Sequence, residues 1–145
     1  MKTQIGVVTL AVVLCCWRQA QSAEQSAPSV GQRARDEAQQ LLKDRDEIRP
    51  KAKAAAQRLQ DNGLSPASLG FESARAIRDQ EAASGSKLAA YERYLKTANK
   101  LERQIRDEVE RGVRGVGCED IARLERLQAE IDLARIRGLL PAEEK

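Results

Sequence analysis

The stretch Lys87-Leu-Ala-Ala-Tyr-Glu-Arg-Tyr-Leu-Lys-Thr-Ala-Asn-Lys-Leu-Glu-Arg-Gln-Ile-Arg-Asp-Glu-Val-Glu-Arg111 decides the fold class. Leu88, Tyr91, Leu95, Ala98, Leu101, Ile105 and Val109 recur at steps of three and four, the spacing that places side chains on one face of an α-helix. No glycine or proline interrupts the run. The other faces carry opposite charges four apart: Glu102 with Arg106, Arg103 with Asp107, Asp107 with Arg111. Such pairs add little stability and mark a solvated face.

The same period extends towards the N-terminus. Ala34, Ala38, Leu41, Arg45, Ile48, Ala52, Ala55 and Leu59 form a heptad stripe with one polar member. Pro50 lies inside it, and a proline in a helix interior costs about 3 kcal/mol. The stripe crosses it unbroken, which predicts one helix kinked at Asp46–Pro50 rather than two. Asp61-Asn-Gly-Leu-Ser-Pro66 stops this helix, with Gly63 suited to a left-handed C′ position. Ser65 and Pro66 then suit a cap and a first helical residue. A second helix is predicted from Pro66 to Ala83, with Leu69, Ala76 and Ile77 as a weak apolar face, before the break at Ser84-Gly-Ser86.

Beyond Arg111, Gly112-Val-Arg-Gly-Val-Gly117 forms a second corner. A fourth helix follows from Cys118 to Arg137, with Glu119 and Asp120 in its first turn, where the helix dipole favours acids. Its stripe is Ile121, Leu124, Leu127 (or Gln128), Ile131 and Ala134, and Gly138 and Pro141 end it. Gly63 and Gly115, Leu64 and Val116, and Leu69 and Ile121 are each separated by 52 positions, so the halves read as two similar αα-hairpins. The expected fold is all-α: four helices in two αα-hairpins over residues 31–140, coiled-coil-like, as a four-helix bundle or as extended hairpins. The short stripe on the second helix tilts this towards extended hairpins covered by other helices.

Composition agrees. Four aromatic rings in 145 residues cannot fill a broad β core. The chain has no histidine, which excludes Ser-His and Cys-His nucleophile pairs and most zinc and haem sites.

Residues 1–23 read as a secretory signal: Lys2 in the n-region, an apolar run from Ile5 to Cys16, and a polar c-region ending Ala20-Gln-Ser-Ala23. The run is shorter than the roughly 20 residues of a spanning helix. An uncleaved anchor and a lipoprotein signal at Cys15-Cys16 are the alternatives. Residues 24–30 read as a disordered lead-in and 141–145 as a flexible tail. The expected location is periplasmic or secreted, with membrane attachment only if the chain is lipidated or anchored. Residues 1–23 hold Lys2 and Arg18 and no acid, so their loss takes the net charge from +3 to +1. No clustered excess of cations marks a nucleic-acid footprint. Cys118 is then left as an odd thiol, free or bridging to another chain.

No constellation carries chemistry, so the sequence predicts no enzyme, cofactor, metal or small-molecule substrate. Glu119, Asp120, Glu125, Glu130 and Asp132 read as solvated helix faces. Asp44, Asp46 and Glu47 lack the loop spacing of a calcium site. Arg75, Arg78, Arg123, Arg126, Arg135 and Arg137 alternate with acids and read as balanced surface charge. Tyr91 and Tyr94 read as seam filling.

The region around the second corner, Val109 to Arg137, resembles the helix–tip–helix unit of the TolC-like outer-membrane efflux family. A helix ends in a Gly-containing turn, Asp120-Ile121 opens the next helix, and Ala129-Glu-Ile-Asp-Leu-Ala134 follows. Asn62 to Leu69 is a looser version without the Asp. The resemblance implies a helical unit that docks a partner at such turns, here at Gly115, Val116, Asp120 and Ile121. The chain has no alternating strands for an outer-membrane barrel, so the implication covers the helical portion alone.

The resulting expectation is an exported, non-enzymatic protein working by helix-to-helix association with a helical partner or itself, as an envelope or efflux-related structural or adaptor component. A periplasmic chaperone-like module and a small metal- or thiol-dependent enzyme are the alternatives.

Overall fold

The computed structural model describes residues 29–142. The predicted signal, most of the predicted lead-in and the last three residues lie outside that range. Among the described residues there are four α-helices and no strand: α1 (Val30–Asp61), α2 (Phe71–Ser84), α3 (Lys87–Glu110) and α4 (Cys118–Ile136), with a 3₁₀ turn at Pro66–Leu69. The first turn of α1 belongs to an N-terminal unit, residues 1–33, and Ala34 opens a second compact unit containing everything that follows. In the first unit, Ser29 Oγ accepts from the Gln32 amide at 3.2 Å.

The helix ends follow from local chemistry. Gly63, with φ +72°, donates its amide to Gln60 O at 2.9 Å, and Leu64 donates to Leu59 O at 2.8 Å. This is the paired pattern in which a left-handed C′ residue satisfies the last carbonyls of a helix. The ends of α3 (Gly112, Val113) and α4 (Gly138, Leu139) repeat it. In the second corner the C′ residue is therefore Gly112, not Gly115, and the 52-residue echo has no structural counterpart. Ser65 Oγ accepts from the Ala67 amide at 3.1 Å, as the sequence predicts, but the turn it caps lasts only to Leu69. Gly70, with φ +85°, separates it from α2.

α1 runs through Pro50 as one helix. Its predicted stripe faces inward: Ala38, Ile48, Ala52 and Ala55 are buried, and the Arg45 side chain is only 12% exposed. What covers it is α4. Gly117, before α4, abuts Ala55, and at the other end Ile131 and Ala134 pack with Ala38, so the two helices run antiparallel. α4 is buried on more than the predicted stripe. Ala122, Ala129 and Leu133 join Ile121, Leu127, Ile131 and Ala134 out of solvent. Ala122 and Ala129 belong to the cluster that holds Tyr94 and Ala98 of α3. Arg126 reaches Glu102 at 2.7 Å and Arg137 reaches Glu92 at 2.8 Å, which sets α3 antiparallel to α4 on a second flank.

A helix buried along several faces lies at the centre of a bundle. The aliphatic stripes are thus covered within the chain, against the sequence-based tilt towards extended hairpins. Each fully buried Leu or Ile contributes about 2 kcal/mol of apolar burial. Burial on α3 centres on Ala90, Tyr94, Ala98, Glu102 and Ile105: Ala98 and Ile105 lie on the predicted line, the other three one position to either side of it, and Leu88 is left at 40% exposure. Of the face predicted for the second helix, Leu69 is buried in the 3₁₀ turn, while Ala76 and Ile77 on α2 are exposed and Phe71 is the buried residue of α2. None of the helices among the described residues is long and apolar enough to cross a membrane.

Candidate functional site

The loop after α1 and the loop after α3 meet at one end of the bundle, because α1 and α3 both run antiparallel to α4. Between them lies a groove of about 360 Å³. Leu59, Leu64 and Leu69 line it from one corner, Val113, Gly115 and Cys118 from the other. Glu108 and Arg114 form an ion pair in its wall. That guanidinium, with the Gln104 amide as a second donor, holds the Glu108 carboxyl below the usual carboxylate range. The pair leaves the wall electrically balanced. Leu64 (56% exposed), Val113 (70%) and Val116 (82%) project at this end, although large aliphatics have a free-energy reason to be covered.

The four residues predicted to dock a partner part company here. Gly115 and Val116 are exposed on the corner. Asp120 is half-buried in the first turn of α4, with its amide bonded to Gly117 O. Ile121 is a core residue, 8% exposed and packed in the cluster with Ala55 and Ile105, so its side chain is committed within the chain. Leu64 and Val113, which flank the predicted set, are the exposed aliphatics the sequence reading missed. Each follows a C′ glycine, and that position in the turn is the signal that could have found them.

Cys118 does not fit the role of an interchain thiol. It is 3% exposed, and burial pushes its thiol pKa up despite the nearby Arg114. A helix N-terminus alone would lower it; desolvation wins here.

The charges read as surface pairs instead tie helices together. Glu102 is buried, and its carboxylate takes Arg126 of α4 at 2.7 Å and Arg106 at 3.1 Å. Arg126 also holds Glu130 at 2.7 Å. Glu125 bridges α4 to Arg75 of α2 at 3.1 Å, and burial raises its carboxyl pKa against the pull of Arg75 and Arg78. Arg78 lies over the rings of Tyr91 and Tyr94, at 4.9 and 4.8 Å from their centroids. Burial, with Glu125 next, pushes the Tyr94 hydroxyl pKa up to about 12.

A second groove, of about 410 Å³, lies at the opposite end of the same unit, between α1, α3 and α4. Ala38, Leu41, Leu95, Leu133 and Leu139 line it. Among the described residues no group of three or more Cys, Asp or Glu side chains is placed to hold a metal ion. No family model, no curated protein and no solved structure matches this chain.

Proposed function

We propose that this chain is an exported, non-enzymatic helical module that acts by association with another helical protein, as a structural or adaptor component of an envelope. The reading is carried by one observation. The stripes of α1 and α4, which a helical partner would normally cover, are occupied inside the chain, and three of the large aliphatics left exposed, Leu64, Val113 and Val116, gather at the corner end. Docking therefore uses the loops, including Gly115 and Val116, and not the helix faces. A second copy is the simplest partner. The resemblance of Val109–Arg137 to an efflux-type tip points the same way.

Light scattering on the chain from residue 24 onward, across concentration, tests this together with Val116→Asp. Self-association that Val116→Asp abolishes without loss of helicity supports docking through the corner. A monomer at every concentration defeats the self-association version; the adaptor version then requires that Val116→Asp weaken recovery of a defined envelope partner.

A chaperone-like module is the second reading, favoured by the apolar groove at the far end of the bundle. It requires that a folded monomer bind unfolded client chains, and that Leu41→Glu, at a half-buried lining position, weaken that binding without loss of helicity while Val116→Asp leaves it unchanged.

A further inference from the structure

We infer that α2 is a flap that melts locally: residues 75–84 come away from α3 and α4 between the anchored Phe71 and the Gly85–Ser86 link to α3, while α1, α3 and α4 stay folded.

α2 buries little of its surface. Of its 14 residues only Phe71, the first, is buried. Its predicted apolar member Ile77 faces water. Between α2 and α3 runs a groove of about 370 Å³, lined by Ala74, Ile77, Ala90, Tyr94 and Leu101, where a packed seam would have side chains. By contrast α4 buries eight residues. Segments with few buried apolar contacts open at lower free energy than the core.

Beyond Phe71, and Ala74 which packs against the core, α2 is held by charge. Arg75 reaches Glu125 at 3.1 Å, Glu81 reaches Arg93 at 2.9 Å, and Arg78 lies over Tyr91 and Tyr94. Arg75, Glu81 and Arg93 have side chains between 37% and 58% exposed. Links of this kind weaken as salt shortens the screening length. Glycine stands at both ends, Gly70 in the left-handed region and Gly85 at φ −155°, ψ −146°. A 14-residue helix freed from its support does not persist in water. Peeling therefore melts α2 and uncovers Ala90, Tyr94 and Leu101 on α3.

Hydrogen exchange on the full chain at low and at high salt tests this. The amides of residues 75–84 are expected to exchange at least about tenfold faster than those of residues 122–131 in α4. High salt accelerates α2 further and leaves α4 unchanged. Arg78→Ala accelerates α2 at low salt and leaves α4 unchanged. The flap is overturned if α2 is protected as well as α4, if salt leaves α2 unaffected, or if Arg78→Ala accelerates both helices equally.

Discussion

A β-carbon placed on Gly117 would lie 2.8 Å from the Cβ of Ala55, so the bare backbone at the start of α4 packs directly on the Ala55 methyl of α1. Gly117 also sits at φ +101°, where side chains are strained. Gly117→Ala is expected to destabilise the bundle by about 2–4 kcal/mol, from overpacking and strain together. Ala55→Gly in the same chain relieves the clash but not the dihedral cost, so it restores only part of the loss. Urea denaturation of the three proteins measures both terms.

The Glu102–Arg126 contact is nearly shut off from water, with side chains 10% and 20% exposed. Removing one partner strands the other. Arg126→Ala is expected to cost about 3 kcal/mol, while Glu102→Leu with Arg126→Met is expected to cost much less, because no charge remains uncompensated. Thermal unfolding of the single and double variants checks this. Equal losses in both would show the packing of the stems, rather than the charges, to be what matters.

Two carboxylates act on acid stability in opposite senses. Glu125 has a raised folded-state pKa, so the folded chain takes up its proton before the unfolded chain does, and stability rises as pH falls through that value. Glu108 has a lowered one, so its contribution is present above the ordinary carboxylate range near 4.3 and is lost as pH falls towards its folded value. Unfolding free energies measured from neutral pH into the acid range should show Glu125→Gln removing the gain and Glu108→Gln removing the loss.

The Cys118 thiol is expected to label slowly with a thiol reagent at neutral pH and at the rate of a free cysteine in denaturant. Non-reducing electrophoresis of the purified protein should show no covalent dimer. Rapid native labelling would mean that the corner opens far more often than its packing implies.

The sequence was most legible where periodicity and turn chemistry agree. The α1 stripe, the Gly63 stop, the Ser65 and Ser86 caps and the extent of α3 all follow from residue type and spacing. It was least legible where tertiary partners choose among faces. Glu102 reads as one of a run of helix-surface acids, and only the antiparallel arrival of Arg126 makes it an interior residue. α4 reads as a single stripe because its alanines count weakly in any pattern, yet Ala122 and Ala129 are what let α3 approach it. At the corner, Val116 was legible as an exposed residue because it lies in a glycine-rich turn. Ile121 was read both as the first member of the α4 stripe and as a docking residue, and the structure commits its side chain to the stripe.

Arg45 has one more effect. It interrupts the α1 stripe between Leu41 and Ile48, and the apolar interior divides into a larger cluster reaching the corners and a smaller one around Ala38, Ile131 and Leu140. An interior divided this way is a zip with a preferred end. On heating, the Leu140 end lets go first, and a fluorophore at Leu139 would register that release at a lower temperature than the tyrosine signal from the larger cluster.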